Sequence, residues 1–285
     1  MEWVEQLNSA MTYLETNLEG DIDLEQAARL ACCSVYHFQR MFPYLAGVPL
    51  SEYIRRRRMT RAADALLQGE RVLDVALRYG YTSPTAFNRA FRSVHGCAPS
   101  EAGKPGARLR AYPPVRFHIS VKGDTEMEYQ IVQKEAFRVV GPRIPISMQL
   151  EENFKEVPQF WGRTAADGTV ARLAGLMTGE PRGLIGLSDC AADQDGHYYI
   201  AVATDAPVPE GMYEFTVPAS TWAIFSGSGA MPDGIQQLEQ RIVTEWLPSS
   251  GWEWARLPDL EVYLTPDPVN AKFEVWMPIV RAQKD

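Results

Sequence analysis

The chain has 285 residues, of which 46% are hydrophobic and 22% charged, a composition that fits one large or two ordinary folded domains and excludes a disordered or fibrous chain. No apolar run approaches the roughly 20 residues that cross a bilayer, and the first residues lack the order of a signal peptide, so we expect a cytoplasmic protein with no membrane contact. The four cysteines lack metal-ligand spacing and no phosphate loop is present, so we expect neither a metal nor a cofactor.

Charge is distributed unevenly along the chain, whose net charge is −8. Residues 24–110 hold 14 Lys/Arg and 6 Asp/Glu, a net of +8, whereas residues 111–285 hold 14 and 24, a net of −10. Basic surface favours phosphate because it releases condensed counterions. The distribution therefore predicts a nucleic-acid-binding module followed by an acidic module that does not touch DNA.

The first helices follow from apolar spacing and capping residues. Residues 3–18 predict an amphipathic helix, and Asp23 is a suitable N-cap for a second helix over Leu24–Ala31. Ser34 can cap a third helix. The apolar side chains of this third helix share one face, and its other face carries Tyr36, Gln39 and Arg40.

The sequence predicts a long helix over Ser51–Leu67 that carries the run Arg55–Arg58. Because four consecutive residues cover all sides of a helix, only some of these arginines can face phosphate. Arg58 can equally be an internal ion-pair partner. A further helix spans Val72–Tyr79. The next one has Ser83 as its N-cap and ends at Gly96. Its outer face and flank present Thr85, Asn88, Arg89 and Arg92.

Residues 24–52 resemble the segment that lies 49 residues further along the chain, so this part of the sequence contains a repeat. Leu24, Ser34, Phe38, Arg40 and Gly47 superpose on Leu73, Ser83, Phe87, Arg89 and Gly96. Each copy is a short helix, a turn and a second helix with an outward arginine, which is the arrangement of a helix-turn-helix whose second helix enters the major groove. The repeat predicts an all-α domain that reads two adjacent segments of double-stranded DNA.

Residues 5–103 resemble the DNA-binding domain of the AraC/XylS transcription regulators. The resemblance lies in LEQAARLACCSVYHFQRMF, GVPLSEYIRRRRMTRAADALL and VLDVALRYGYTSPTAFNRAFRSVHGCAPSE. It implies base contacts from Tyr36, Gln39 and Arg40 in the first motif and from Thr85 and Arg89 in the second, with Ser83 on phosphate. It also implies an activator that contacts RNA polymerase, with a repressor as the alternative.

The second half predicts an α+β domain built from a second duplication. After a linker over residues 103–114 and a strand over Val115–Val121, an offset of 85 residues aligns Met127, Val132, Phe137 and Trp161 with Met212, Val217, Trp222 and Trp246. Each copy has strand, strand, helix and strand pair. The expected helices are Glu151–Ala166 and Gly234–Leu247, and the expected late strands are Gly183–Leu187, His197–Ala203, Leu260–Leu264 and Lys272–Val280. Two βαββ units of this kind predict an antiparallel sheet with a central groove.

The last strand places Glu274 and Trp276 on one face, and Tyr199 occupies the matching place in the first copy. A carboxylate beside aromatic rings suits a flat cation. The alternative is that Glu274 is an exposed strand residue paired with a lysine or arginine.

Residues 115–285 resemble a GyrI-like domain, through MEYQIVQKEAFRVVG, PASTWAIFSG and VYLTPDPVNAKFEVWMPI. The resemblance implies that Glu274 is the central ligand-pairing acid. It also implies a pocket lined by five aromatic residues, Trp222, Tyr263, Trp276, Phe160 and Tyr199. Trp161 and Trp246 occupy equivalent helix positions and are expected in the core.

Taken together, the two resemblances predict a reader at residues 1–107 and a sensor at residues 108–285, in a ligand-responsive regulator whose effector is a lipophilic cation. Two alternatives remain for the sensor. It could be a hydrolase of strained electrophiles that uses Glu274 with Tyr199 or Tyr263 as an acid/base pair, or it could be a protein-interaction module.

Overall fold

The computed structural model describes residues 2–118, 126–147, 150–190 and 196–281. The chain forms two compact units, one made of Glu2–Ala31 and Ala46–His118 and the other of Cys32–Leu45 and Ile119–Asp285. In the described part of the chain no helix is long and apolar enough to cross a membrane.

Six helices make up the N-terminal part of the chain: α1 (Glu2–Thr16), α2 (Leu24–Leu30), α3 (Val35–Ala46), α4 (Leu50–Leu67), α5 (Val72–Arg78) and α6 (Pro84–His95). The predicted helices are therefore confirmed to within a residue or two at each end. Asp23, Ser34 and Ser83 each accept a hydrogen bond from the backbone N–H three residues further on. Gly96 ends α6 with a φ of +80°, a backbone conformation that favours glycine.

The first unit has a core of inward side chains from α4, α5 and α6. Met59, Val75, Phe87 and Phe91 are fully buried in it. Both expected faces of α6 are therefore confirmed. Within the arginine run on α4, Arg57 is buried and forms an ion pair with Glu15 of α1, with 2.7 Å between Nη2 and Oε2.

Arg58 donates hydrogen bonds to the carbonyl oxygens of Leu18 and Gly20. The sequence left two roles open for Arg58, a phosphate contact or an internal ion pair. The structure shows an internal role, in which the partners are carbonyl oxygens and not a carboxylate.

In its described residues the second unit contains ten strands and the remaining α-helices. The strands are β1 (Tyr129–Lys134), β2 (Phe137–Gly141), β3 (Arg143–Ile146), β4 (Leu184–Ser188), β5 (Gly196–Ala203), β6 (Tyr213–Val217), β7 (Ser220–Gly229), β8 (Trp252–Trp254), β9 (Leu260–Tyr263) and β10 (Ala271–Arg281). The helices are α7 (Leu150–Ala166), α8 (Thr169–Leu176), α9 (Asp233–Arg241) and α10 (Leu247–Ser250).

The sheet order β1-β7-β10-β9-β4-β5-β2-β6 reads the same from either end once the two copies are exchanged. All pairs are antiparallel, and β4 and β9 meet at the centre. The first strand of each copy pairs with the second strand of the other copy, as β1 with β7 and β2 with β6. The expected duplicated α+β fold with an antiparallel sheet is thus confirmed, and neither copy can complete its pairing alone.

Three expectations differ from the structure. Residues 115–118 of the expected strand Val115–Val121 form no strand, because Phe117 exchanges two hydrogen bonds with the side chain of Asn8; residues 119–121 lie outside the described part. The expected helix Gly234–Leu247 is interrupted, since one π-helical turn over Ile242–Trp246 separates α9 from α10. Finally, residues 103–118, which contain the expected linker, belong to the helical unit.

Candidate functional site

The second recognition helix has the exposure that DNA reading requires. Thr85, Asn88, Arg89 and Arg92 on α6 are all exposed, as is the capping residue Ser83. Within the described residues neither arginine forms an ion pair. The structure therefore presents the whole predicted DNA-contacting set of the second motif to solvent.

The first recognition helix has different surroundings, because α3 lies almost entirely in the second unit. Tyr36 is 7% exposed and packs in an apolar cluster with Phe160, Leu173 and Ile200. Gln39 is half-buried. The sequence predicted that these side chains face outward, and in this structure Tyr36 does not.

Arg40 is bound by three carboxylates, Glu239, Asp259 and Glu261, which we call the acidic cluster. Its guanidinium lies 2.5 Å from Asp259 Oδ2 and 3.1 Å from Glu261 Oε1, and it also contacts Glu239. Its side chain is 16% exposed. The acidic cluster joins Glu239 of α9, Glu261 of β9 and Asp259, which directly precedes β9, around one cation.

Burial and charge act against each other in the acidic cluster. Burial raises the pKa of Glu261 to about 7, since the negative charge of Glu239 adds to desolvation and the positive charge of Arg40 opposes it only in part. Burial would also raise the pKa of Asp259, but Arg40 and the nearby His37 outweigh it and lower that pKa. The cluster thus holds more negative than positive charge, which favours a bound proton or a bound cation.

Aromatic groups surround Glu261. The hydroxyl of Tyr263 donates a 2.6 Å hydrogen bond to its Oε2 atom. The ring of Tyr263 meets Trp161 edge-on at 4.9 Å, and the indole N–H of Trp161 donates to the hydroxyl of Tyr198 at 3.0 Å. A half-buried carboxylate beside a tyrosine, with further aromatic rings behind it, is a suitable site for a flat or lipophilic cation.

Side chains of α3 fill the remaining space beside the acidic cluster. The hydroxyl of Tyr44 donates to Glu239 at 2.6 Å, and the ring of His37 stacks on Trp254 at 4.4 Å. The cavity left among Arg40, Tyr44 and their neighbours is about 10 Å³. That volume is close to the smallest that admits one water.

The six predicted ligand-binding residues are divided between two places. Tyr263 lies beside the acidic cluster, and Phe160 is buried near it with Tyr36 and Tyr198. The other four predicted residues are Tyr199, Trp222, Trp276 and Glu274. The three aromatic ones belong to a separate buried cluster, and Glu274 adjoins it through Trp276. This cluster also contains Leu260 and Val262, the residues that alternate with Glu261 along β9.

Strand alternation explains this division. Leu260 and Val262 point to one face of the sheet, so Glu261 and Tyr263 point to the other. Glu274 is half-buried and accepts a 2.7 Å hydrogen bond from the indole of Trp276. The expectation that one pocket combines Glu274 with Tyr263 is therefore not met by the structure.

Sequence reasoning missed all three residues of the acidic cluster. The signal for Glu261 is present in the strand Leu260–Tyr263, where a glutamate stands among apolar residues at the centre of a sheet. Glu239 and Asp259 carry no such signal, because they come together only in the fold. Trp161 was expected in the core and is half-buried beside Tyr263.

The raised pKa of Glu261 predicts a pH-dependent stability. Its ordinary value is 4.5 and its folded value is about 7, so the folded state holds the proton more tightly. The resulting stabilisation is complete below pH 4.5 and is lost as the pH rises through about 7. We expect the free energy of unfolding to fall by about 1–3 kcal/mol more in wild type than in Glu261→Gln between pH 5 and 8. Urea denaturation at both pH values measures it, and equal pH dependence would contradict the assignment.

Comparison with known proteins agrees with both halves of this structure. Residues 127–280 match the GyrI-like small molecule binding domain, and residues 27–104 match a helix-turn-helix domain. The HTH-type transcriptional activator AarP of Providencia stuartii is 35% identical over 95 residues, which are 33% of this chain and 70% of AarP.

Two further relatives extend beyond the helical half. The right origin-binding protein of Escherichia coli (strain K12) is 25% identical over 96% of this chain and 98% of its own. The transcriptional regulator Rob of Salmonella typhimurium is 32% identical over 54% of this chain and 55% of its own. This chain therefore belongs to the GyrI-like family and, with its AraC-type helix-turn-helix domain, is a DNA-binding transcription regulator that carries a small-molecule-binding domain.

Proposed function

We propose that the effector of this regulator is a lipophilic cation that binds at the acidic cluster, with Glu261 as its principal partner. The observation that carries the proposal is the buried set of three carboxylates around a single guanidinium. A buried charge is stable only when it is paired, so this set is suited to a cation. Tyr198, Tyr263 and Trp161 supply aromatic surface for the apolar part of the ligand.

Methyltriphenylphosphonium and triphenylphosphine oxide test the proposal because they share three phenyl rings and differ in charge. We expect the cation to quench tryptophan fluorescence with an affinity at least about tenfold higher than that of the neutral compound, since only the cation is attracted by the carboxylates, and tenfold corresponds to about 1.4 kcal/mol. Equal affinity of the two compounds would contradict a charge-selective site.

DNA recognition in this proposal uses Ser83, Thr85, Asn88, Arg89 and Arg92 of α6 together with Tyr36, Gln39 and Arg40 of α3. The exposure of the α6 set and the match to a helix-turn-helix domain support it. We further propose that the chain activates transcription by contacting RNA polymerase, in line with the relative AarP, which is named an activator.

The proposal includes the absence of catalysis. Glu261 and Tyr263 share a 2.6 Å hydrogen bond, a geometry that an acid/base pair could also use. However, Glu261 also accepts from Arg40, and the relatives compared above are named as regulators or as an origin-binding protein. Hydrolysis of an epoxide such as styrene oxide by the full chain, lost in Glu261→Gln, would contradict this part of the proposal.

A further inference from the structure

The 49-residue repeat provides an internal comparison between two recognition helices. Arg40 on α3 and Arg89 on α6 are equivalent positions of that repeat. Arg89 is exposed, whereas Arg40 is 16% exposed and paired with the acidic cluster. Since the two helices share the motif, the surroundings of α3 account for the difference.

The Arg40 guanidinium of the docked α3 occupies the position proposed for the cationic effector, beside all three carboxylates of the acidic cluster. With Arg40 and Tyr44 in place the cavity is about 10 Å³, whereas pockets for small-molecule ligands are typically some 300 Å³ or larger. The Arg40 guanidinium also lies 3.1 Å from Glu261 Oε1, so a cation that pairs with Glu261 must displace it. The displaced group and the ligand are both cations, so they compete for the same carboxylates.

Docking of α3 also removes DNA-reading groups from solvent. Tyr36 is buried in an apolar cluster, and Arg40 is engaged by carboxylates that a phosphate or a base would have to replace. Side chains held in this way cannot enter a major groove. The docked state consequently leaves α6 as the exposed reader.

We propose that α3 is an internal competitor of the effector: docked on the acidic cluster it silences the first DNA-reading motif, and a cationic effector releases it by taking the place of Arg40. The proposal rests on the proposed function for the identity of the ligand site. The effector shifts the equilibrium because it binds only the released state, and one chain then reads DNA with two motifs instead of one.

Substitutions in the acidic cluster test the proposal, because they leave the predicted DNA-reading side chains of α3 and α6 unchanged. Asp259→Asn and Glu239→Gln each remove one charge that holds Arg40. Glu214→Gln is the matched control, because it breaks an ion pair with Arg138 at an exposed site of the same unit. The probe is a fluorescent duplex enriched from a random pool by the full chain of Asp259→Asn, or by that of Tyr44→Phe if Asp259→Asn does not fold.

We expect Asp259→Asn and Glu239→Gln to bind this duplex about tenfold or more tightly than wild type without any effector, and to exchange the α3 amides faster. Glu214→Gln should stay within about twofold of wild type. If Asp259→Asn fails to fold, Tyr44→Phe, which removes one hydrogen bond to Glu239, should shift both readouts in the same direction by a smaller factor. Folded variants that match wild type in both readouts would overturn the proposal.

The effector arm separates this proposal from the proposed function. If methyltriphenylphosphonium does not bind while Asp259→Asn still gains DNA affinity, the docking of α3 stands and the proposed ligand class fails. If the phosphonium binds through Glu261 but changes neither DNA affinity nor α3 exchange, the ligand class stands and the competition between α3 and the effector is overturned.

Discussion

Glu261→Gln should lower the affinity for methyltriphenylphosphonium by about 30- to 1000-fold, a loss of about 2–4 kcal/mol, while the affinity for triphenylphosphine oxide changes by less than about threefold. The reason is that Glu261 supplies a half-buried negative charge, and the glutamine removes that charge at nearly the same side-chain shape. The ratio of the two affinities is the informative quantity. Both ligands must displace the same α3 side chains, so any change in pocket opening cancels in the ratio.

Glu274→Gln is the matched control for this prediction, because it makes the same change on the other face of the sheet. It should leave the ratio of affinities within about threefold of wild type. A loss of charge selectivity in Glu274→Gln with none in Glu261→Gln would instead favour the site expected from the sequence. Fluorescence titration of the three proteins with both compounds decides between them.

Arg89→Ala should weaken binding to a selected duplex by about 1–3 kcal/mol and leave binding to random DNA nearly unchanged. Arg89 is exposed in the middle of α6, where a guanidinium can donate to both acceptors of a guanine edge. Anisotropy titrations with selected and scrambled duplexes at one salt concentration measure both affinities.

Arg182→Ala provides the control for Arg89→Ala, since Arg182 is 68% exposed and belongs to the second unit. Its affinity for either duplex should match wild type. Equal losses on both duplexes in Arg89→Ala would assign Arg89 to phosphate contact instead of base reading.

Local rules predict most of the fold because they act over a few residues. Ser83 and Gly96 mark the ends of α6 through capping geometry, and apolar alternation places the late strands within a residue of their observed bounds. The repeat with an offset of 85 residues also predicts the symmetry of the sheet. The prediction of a strand at Val115–Val121 was wrong over residues 115–118. There the backbone of Phe117 forms hydrogen bonds with the side chain of Asn8 instead of pairing with another strand.

The candidate site was harder to predict because it depends on contacts between distant parts of the chain. Arg40 and Asp259 are 219 positions apart, and no pattern at Arg40 distinguishes it from Arg89. Alternation does divide Glu261 from Val262, but only the fold shows which face of β9 contacts Arg40. The resemblance to a family predicted a ligand-pairing carboxylate at Glu274, and the choice of Glu261 over Glu274 required side-chain positions.

Reciprocal coupling between effector and DNA is the central claim, and it is tested by closing one thermodynamic cycle. The affinity of the full chain for its selected duplex is measured with and without saturating methyltriphenylphosphonium, and the affinity for the phosphonium is measured with and without saturating duplex. A regulator that senses a cation at Glu261 must show the same coupling factor in both directions, of about five- to 150-fold. A factor of one in both directions would contradict the claim that this chain couples cation binding to DNA reading.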